Sequence, residues 1–227
     1  MPISRILGTS RCLQYRKPVA AAGGWWLPTG VAAANCKAAY RSIGAADLAT
    51  SLINLNSPGT GDAVKMGTGN PTWSAAAGWT CTGNQWLQTV PADGGSYSVF
   101  CRINNVDAGS NFNRIFGTTQ LWHSAGYFDT HTYYQHGTSR WDGPGESHGQ
   151  AVVGISGRKC YWNANLRYST LGAWSGSITY GMAIGAASNS ATTAEKYCGF
   201  QIGAFAVYDI SISLAQVVEL TASMLAL

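Results

Sequence analysis

The last thirty residues, Cys198–Leu227, read CGFQIGAFAVYDISISLAQVVELTASMLAL and decide the fold prediction. Apolar side chains fill both alternating sets of positions between Phe200 and Tyr208. A strand with two apolar faces is covered on both sides, whereas a strand at the surface alternates apolar and polar residues. The stretch therefore predicts a central strand, with one face formed by Phe200, Ile202, Ala204, Ala206 and Tyr208 and the other by Gln201, Gly203, Phe205 and Val207.

A short helix is predicted directly after this strand, which ends at Asp209. Ser213 is a favoured N-cap residue, and Gln216 three positions later completes a capping box. Apolar residues then recur at helical spacing and would pack one face of the helix against a sheet. They are Val217, Leu220, Met224 and Leu227.

Short apolar runs separated by turn residues every 8–12 positions or so indicate an all-β chain folded as a two-sheet antiparallel sandwich. The length of 227 residues suits one such domain with a real core. Strands are predicted at 35–40, 96–103, 114–118, 150–156 and 177–185, with a turn or short helix within 42–54. Residues 78–87 predict two strands joined by a tight Gly83-Asn84 turn, and residues 158–168 predict a hairpin that turns at Asn163-Ala164-Asn165.

Charge is scarce and uneven in this chain. Charged residues make up 11%, against roughly 25% in an average soluble domain. This indicates either an uncharged polar surface or a surface covered by neighbours in an assembly. Residues 1–46 contain six basic residues and no acidic one, and the rest of the chain carries a net charge of −2.

Residues 1–34 are predicted to be an extended basic arm that precedes a single domain at 35–227. Glycines and prolines interrupt the arm too often for a long element. Docking onto an acidic protein neighbour is favoured over nucleic-acid binding, which usually needs denser basic clusters. Two adjacent tryptophans either plug a groove on the domain or anchor a partner. The candidate docking residues are Arg11, Arg16, Lys17, Trp25 and Trp26.

The six cysteines leave a disulfide framework and free thiols as alternatives. Free thiols are favoured because residues 1–22 lack the apolar core of a secretory signal, and because Cys101 and Cys198 lie within apolar strand patterns. The cysteines form no C-x-x-C pair, which disfavours a zinc site. No run of 18 apolar residues occurs, so no membrane-spanning helix is predicted.

Residues 120–149 concentrate the polar and aromatic groups that suit a ligand, on one or two predicted strands with loops. All four histidines of the chain lie here. Aromatic rings stack on sugar rings, and Asp, Asn and His side chains hydrogen-bond to hydroxyl groups. The alternative is that these aromatic residues fill the sandwich or an oligomer interface. The candidate ligand-binding residues are Trp122, His123, Tyr127, Asp129, His131, Tyr133, Trp141 and Asp142.

Five segments in order resemble the laminin G-like domains of the concanavalin A-like lectin and glucanase superfamily. They are NCKAAYRS, GWTCTGNQWLQT, SYSVFCRINN, GRKCYWNANLRYS and MAIGAAS, followed by the closing IGAFAVYD strand. In GRKCYWNANLRYS, Ala164 stands where the family usually has glycine. The resemblance covers residues 35–227 and implies a jelly-roll sandwich of the type found in tailed-phage structural proteins.

The fold hosts lectins, glycanases and structural modules, so the resemblance alone does not specify a function. Glycanases on it usually carry an E-x-D-x-E strand, and this chain has none. Its closest carboxylates, Asp142 and Glu146, flank Gly-Pro-Gly and suit a loop. No G-x-S-x-G nucleophile motif occurs either. The sequence therefore predicts a protein that is not an enzyme.

No cofactor is expected, although Asp129, Asp142 and Glu146 leave a weak possibility of Ca²⁺. Ordinary hydrogen-bonding histidines are favoured over a transition-metal site at His131 and His136. The expected function is a structural or adhesive virion module that binds other virion proteins, forms homo-oligomers and has a possible glycan ligand. The alternative is an extracellular lectin, and a glycoside hydrolase is less favoured.

Overall fold

The computed structural model describes residues 24–90, 96–105, 113–118, 123–128, 131–136, 139–145, 149–172, 180–190, 192–195, 199 and 201–227. Strands dominate this part of the chain, and a 3-10 turn at Ala33–Asn35 precedes them. In chain order the elements are β1 Cys36–Arg41, α1 Leu48–Ser51, β2 Val64–Gly67, β3 Thr72–Ser74, β4 Gly78–Thr80, β5 Gln85–Gln88, β6 Ser98–Asn105, β7 Asn113–Thr118, β8 His123–Phe128, β9 His131–His136, β10 Ser139–Gly145, β11 Ala151–Ser156, β12 Lys159–Trp162, β13 Asn165–Tyr168, β14 Ala183–Ile184, β15 Ala187–Ser188, β16 Ala194–Glu195, β17 Gln201–Tyr208 and α2 Leu214–Leu225.

Two sheets form a sandwich. The eight-stranded sheet has the order β13-β12-β11-β6-β17-β4-β3, and β1 also pairs with β17. The nine-stranded sheet has the order β10-β9-β8-β7-β14-β5-β2, with β15 and β16 added beside β7. Pairing among the described strands is antiparallel apart from a parallel bridge between Ser188 and Thr118. This confirms the predicted class, a two-sheet antiparallel jelly-roll sandwich with one short C-terminal helix.

The closing strand β17 is central, as predicted. One of its edges pairs with β6 along its whole length. Its other edge pairs with β4 at Gln201 and Ile202 and with β1 from Ala204 to Tyr208. The predicted strict alternation is wrong at the start of the strand, because the pairing with β6 shifts register twice, between Gln201 and Ile202 and between Ile202 and Ala204. Such a bulge changes which face each residue occupies, so Ile202 joins Phe205 and Val207 in the core between the sheets.

Apolar clusters occupy both faces of the eight-stranded sheet. The larger cluster lies between the sheets and includes Tyr40, Trp79, Phe116 and Phe205. The second lies under helix α2, where Val217, Leu220 and Met224 pack against outward side chains of the sheet such as Phe100 and Tyr208. The predicted apolar helix face is thus confirmed for these three residues, whereas the predicted Leu227 lies beyond the end of α2 and outside the cluster. This packing explains why β17 needs apolar residues on both sides.

Three local predictions need correction. Strands β4 and β5 do not form a hairpin, because β4 pairs with β17 and β3 whereas β5 pairs with β14 and β2. The Gly83-Asn84 turn carries the chain from one sheet to the other. Residues 120–149 contain three strands, β8 to β10, rather than one or two. Within the predicted 177–185 strand only Ala183–Ile184 pair as a strand, and residues 177–179 lie outside the described part.

The hairpin of β12 and β13 is confirmed, since Asn163 and Ala164 have φ angles of 49° and 63° at its turn. Four cysteines, Cys36, Cys81, Cys101 and Cys160, are free and buried, while Cys12 and Cys198 lie outside the described residues. No helix in the described part is long and apolar enough to cross a membrane.

Candidate functional site

Strands β7 to β10 bring residues from the 120–149 segment into register on the nine-stranded sheet. Arg114 of β7 lies opposite Gly126 of β8, which lies opposite Tyr133 of β9, which lies opposite Asp142 of β10. Residues directly opposite each other in a sheet share a face. Since the adjacent Tyr134 and Ala125 point into the core, this row lies on the outer face of the sheet.

Arg114 is held firmly in this row. Its guanidinium carbon lies 4.3 Å from the centroid of the Tyr133 ring. Its Nη2 atom donates a hydrogen bond of 3.2 Å to Oε1 of Gln135. Gly126 lies between Arg114 and Tyr133 in the row and has no side chain that would separate the guanidinium from the ring. Arg114 is 5% and Tyr133 1% exposed, so the cation–π contact is shielded from water and worth more than at the surface.

Asp142 and Gln135 bring further hydrogen-bonding groups to the same face. Asp142 is exposed and Gln135 is half-buried. We call Arg114, Tyr133, Gln135 and Asp142 the outer-face row. Nearby, the buried hydroxyl of Ser124, opposite Gln135, has no hydrogen-bond partner among the described residues. Arg114 and Ser124 are buried, so the amide of Gln135 and the carboxylate of Asp142 are the groups of this arrangement that are placed to hydrogen-bond to a polar ligand.

The sequence predicts both Trp141 and Asp142 as ligand-binding residues, but adjacent residues in a strand point to opposite faces of the sheet. Trp141 lies on the inner side, where its ring is 5.8 Å from that of Tyr134 and stacks at 5.9 Å on Tyr168 of the other sheet. The hydroxyl of Tyr134 donates a 2.7 Å hydrogen bond to the carbonyl oxygen of Tyr161. These aromatic rings join the two sheets at one edge, so Trp141 and Asp142 do not contact a ligand from the same face.

For the remaining candidate ligand residues, the structure gives at most a position in a strand. Trp122 and Asp129 lie outside the described residues. His123 and Tyr127 lie in β8, and His131 lies in β9 opposite Phe128. The predictions for these three side chains also lie outside what the structure describes.

The tryptophan pair of the arm contacts its own chain. Trp25 and Trp26 meet edge-to-face at 5.8 Å and pack against the cluster under α2. The carbonyl oxygen of Trp26 accepts a 2.7 Å hydrogen bond from the Tyr208 hydroxyl, and its indole donates to Asn56 Oδ1 at 3.3 Å. Both residues remain half-buried, so docking of a partner here stays a prediction. Arg11, Arg16 and Lys17 lie outside the described residues.

No group of three or more His, Cys, Asp or Glu residues that could hold a metal occurs in the described part of the chain. Asp142 is the carboxylate of the outer-face row, and Glu146 lies outside the described residues. Sequence reasoning missed Arg114, Gln135 and Ser124. Arg114 carried a usable signal, since a cation in a strand whose next two residues are Ile115 and Phe116 must find a partner when it is buried.

No protein-family model matches this chain, and no curated protein matches it in sequence. Solved structures do resemble it in fold. Trypanosoma rangeli sialidase in complex with 2,3-difluorosialic acid aligns with a TM-score of 0.60 and 12% identity, covering 91% of this chain and 36% of the sialidase. The chain therefore spans about a third of the sialidase chains that it matches.

Two further structures are single domains that were each solved in complex with a ligand. Domain 4 of AbnA, an extracellular arabinanase from Geobacillus stearothermophilus, was solved with arabinotriose; it has a TM-score of 0.53 and 14% identity, with 82% of this chain and 98% of that domain covered. The binding domain of botulinum neurotoxin DC in complex with SialylT has a TM-score of 0.55 and 10% identity, with 85% and 52% covered. These likenesses show the fold alone, a two-sheet jelly-roll sandwich.

Proposed function

We propose that this protein is a non-enzymatic carbohydrate-binding module of the laminin G-like type, with a structural and adhesive role on a tailed-phage virion. The observation that carries the carbohydrate part is the outer-face row. Its Arg114 is fixed in place by Tyr133 and Gln135, and Asp142 is exposed at the end of the row. Buried Arg114 in turn holds the half-buried Gln135 amide, so less side-chain freedom is lost when that amide binds a hydroxyl group.

The comparisons support a saccharide as the ligand class. The arabinanase domain, 98% of which is covered by the match to this chain, was solved with arabinotriose. The neurotoxin binding domain was solved with SialylT. In the proposed site, Asp142 accepts hydrogen bonds from sugar hydroxyls while Gln135 both donates and accepts. The Tyr133 ring packs beneath Arg114 and stabilises the site instead of stacking on the sugar.

The absence of enzymatic activity is proposed from the carboxylates. Glycoside hydrolases generally place two carboxylates about 5–9.5 Å apart across the scissile bond. Asp142 lies on a strand where its opposite neighbour is Tyr133, not a second acid. Among the described residues of the row, Asp142 is the single carboxylate, which can orient a sugar but cannot by itself supply both the acid and the base of hydrolysis.

A glycan array tests the carbohydrate part. We expect the full-length protein to bind a subset of glycans, and Asp142→Asn to weaken that binding at least fivefold, since the neutral amide accepts fewer and weaker hydrogen bonds. Asp47→Asn is the matched control, because Asp47 is an exposed carboxylate that caps α1 and asparagine caps equally well. Binding unaffected by Asp142→Asn would exclude the outer-face row as the site. Release of reducing ends from a bound glycan, abolished in Asp142→Asn, would contradict the non-enzymatic proposal.

The virion part rests on the basic arm. Residues 1–34 carry four basic residues and no acid, which suits docking onto an acidic neighbour. We expect a chain that lacks residues 1–24 to stay folded and soluble but to lose its self-assembly or its binding to virion proteins. Assembly of the full chain should weaken between 50 and 500 mM NaCl, since exposed ion pairs are screened by salt. Light scattering after size exclusion measures both effects, and unchanged assembly of the truncated chain would favour a lectin that acts without the arm.

A further inference from the structure

A basic pocket lies away from the outer-face row, between the β11–β12 turn and the segment that connects β17 to α2. Its cavity measures about 380 Å³. The residues that line it with polar side chains are Ser156, Arg158, Lys159, Ser169 and Ser211. No acidic residue lines this pocket in the described part of the chain.

The wall of the pocket is rigidly built. The hydroxyls of Ser98 and Ser156 lie 3.0 Å apart and are buried. Ser98 donates to the carbonyl oxygen of Ile210 at 2.7 Å, and Ser156 donates to that of Ile212 at 2.9 Å. The backbone N–H of Ile212 donates back to Ser156 Oγ at 2.9 Å. Strands β6 and β11 thereby hold the segment that leads from β17 into α2.

The turn that carries the cations is equally constrained. Gly157 has a φ of 54°, and a Cβ atom there would lie 2.5 Å from Ser211 Oγ. Only glycine permits this approach of the turn to the opposite wall. The next residue, Arg158, donates from Nε to the carbonyl oxygen of Leu171, which orients the guanidinium group.

The positive charges of this pocket are not neutralised by the described part of the protein. Arg158 and Lys159 are both exposed, and no described carboxylate forms an ion pair with either of them; the described ion pair is between Lys37 and Asp209. The Ser169 hydroxyl also has no hydrogen bond to a described residue. The hydroxyls of Ser156 and Ser211 already donate to backbone carbonyl groups. A guanidinium, an ammonium and the Ser169 hydroxyl thus line the pocket with spare donors, the kind of groups that bind a phosphate or sulfate.

We propose that this pocket binds a tetrahedral oxyanion, phosphate or sulfate, carried on a saccharide. The volume is more than ten times the roughly 30 Å³ of a water molecule, which leaves room for a sugar ring beside the anion. A nucleic acid is disfavoured because the pocket presents two cations, fewer than the dense basic clusters that usually bind a long polyanion. The site shares no residue with the outer-face row, so it is independent of the function proposed above.

Calorimetry on the full-length protein tests the proposal with glucose 6-phosphate, glucose and inorganic phosphate as probes. We expect glucose 6-phosphate to bind at least tenfold more tightly than glucose and at least threefold more tightly than inorganic phosphate. Lys159→Gln should weaken binding of glucose 6-phosphate at least threefold, and Lys159→Arg should restore it. Lys65→Gln, an exposed lysine on the other sheet, should leave it unchanged.

Three results would overturn the proposal. Equal binding of glucose and glucose 6-phosphate, or no effect of Lys159→Gln, would show that the pocket does not recognise the anion. Inorganic phosphate that binds as tightly as glucose 6-phosphate would show a simple anion site without a saccharide. Because Lys159 is exposed, its variants keep the fold, and an unchanged thermal transition confirms this in the same samples.

Discussion

Two consecutive residues at the β12–β13 turn, Asn163 and Ala164, have positive φ angles of 49° and 63°. This is the geometry of a type I′ turn, whose twist matches that of the paired strands. Asparagine tolerates the left-handed region, whereas alanine is strained there because its Cβ approaches the backbone. Its methyl group recovers part of that cost by packing against the cluster under α2.

Ala164→Gly is therefore expected to stabilise the protein by about 0.5 kcal/mol, because relief of the strain outweighs the lost methyl contact and the greater freedom of glycine in the unfolded chain. Urea unfolding followed by fluorescence measures the difference. Ala32→Gly is the control: Ala32 is exposed and has an ordinary φ of −71°, so glycine there should destabilise slightly. A loss of stability in Ala164→Gly larger than in the control would show that the methyl contact outweighs the strain.

Among the elements, helix α2 has backbone groups at both ends that form hydrogen bonds with side chains. Ser213 Oγ accepts a hydrogen bond from the backbone N–H of Gln216, and the Gln216 side chain accepts one from the backbone N–H of Ser213. At the other end, Arg102 of β6 donates 2.8 Å from Nη1 to the carbonyl oxygen of Met224. Burial lowers the pKa of Arg102, yet a cation at a helix C-terminus is well placed to interact with the helix dipole.

Removal of the capping hydroxyl in Ser213→Ala is expected to cost about 1 kcal/mol, since a backbone N–H at the helix start loses its acceptor. The midpoint of urea unfolding should fall without a change in slope. Ser213→Asn retains a side-chain acceptor and should stay within a few tenths of a kcal/mol of the parent. Equal losses in the two variants would mean that the serine acts through something other than capping.

For the whole molecule, the burial of its thiols predicts a sensitivity to alkali. Burial raises the pKa of the Cys36 and Cys81 thiols from 9.0 to about 12. Above pH 9 these thiols ionise in the unfolded chain but stay protonated in the folded one. The unfolded state then binds fewer protons, so the free energy of unfolding falls as pH rises from about 9 to about 12.

Each thiol should steepen this fall by up to about 1.4 kcal/mol per pH unit. Urea unfolding at pH 8, 8.5 and 9 measures the slope, in a range where free tyrosines are still mostly protonated. Cys81→Ala should reduce the slope even if the lost sulfur lowers the stability at every pH. A slope that is unchanged in Cys81→Ala would mean that this thiol ionises in the folded protein as it does in the unfolded chain.

Features determined by neighbours in the chain could be predicted from the sequence. The capping box, the apolar face of α2, the β12–β13 turn and the two apolar faces of β17 all follow from residues within a few positions of one another. For the same reason the sandwich class was predictable, because turn residues and apolar runs alternate locally.

The tertiary structure decided what depends on distant pairing. The tight Gly83-Asn84 turn does not reveal that β4 and β5 enter different sheets, since each strand finds its partners far away in the chain. The outer-face row likewise exists only once the register of β7 to β10 sets Arg114 across Gly126 from Tyr133 and places Asp142 beside it. A shift of one residue in register moves every side chain of a strand to the other face. The local sequence could therefore predict Asp142 and Trp141 as members of one site, and only the strand pairing shows that they lie on opposite faces of the sheet.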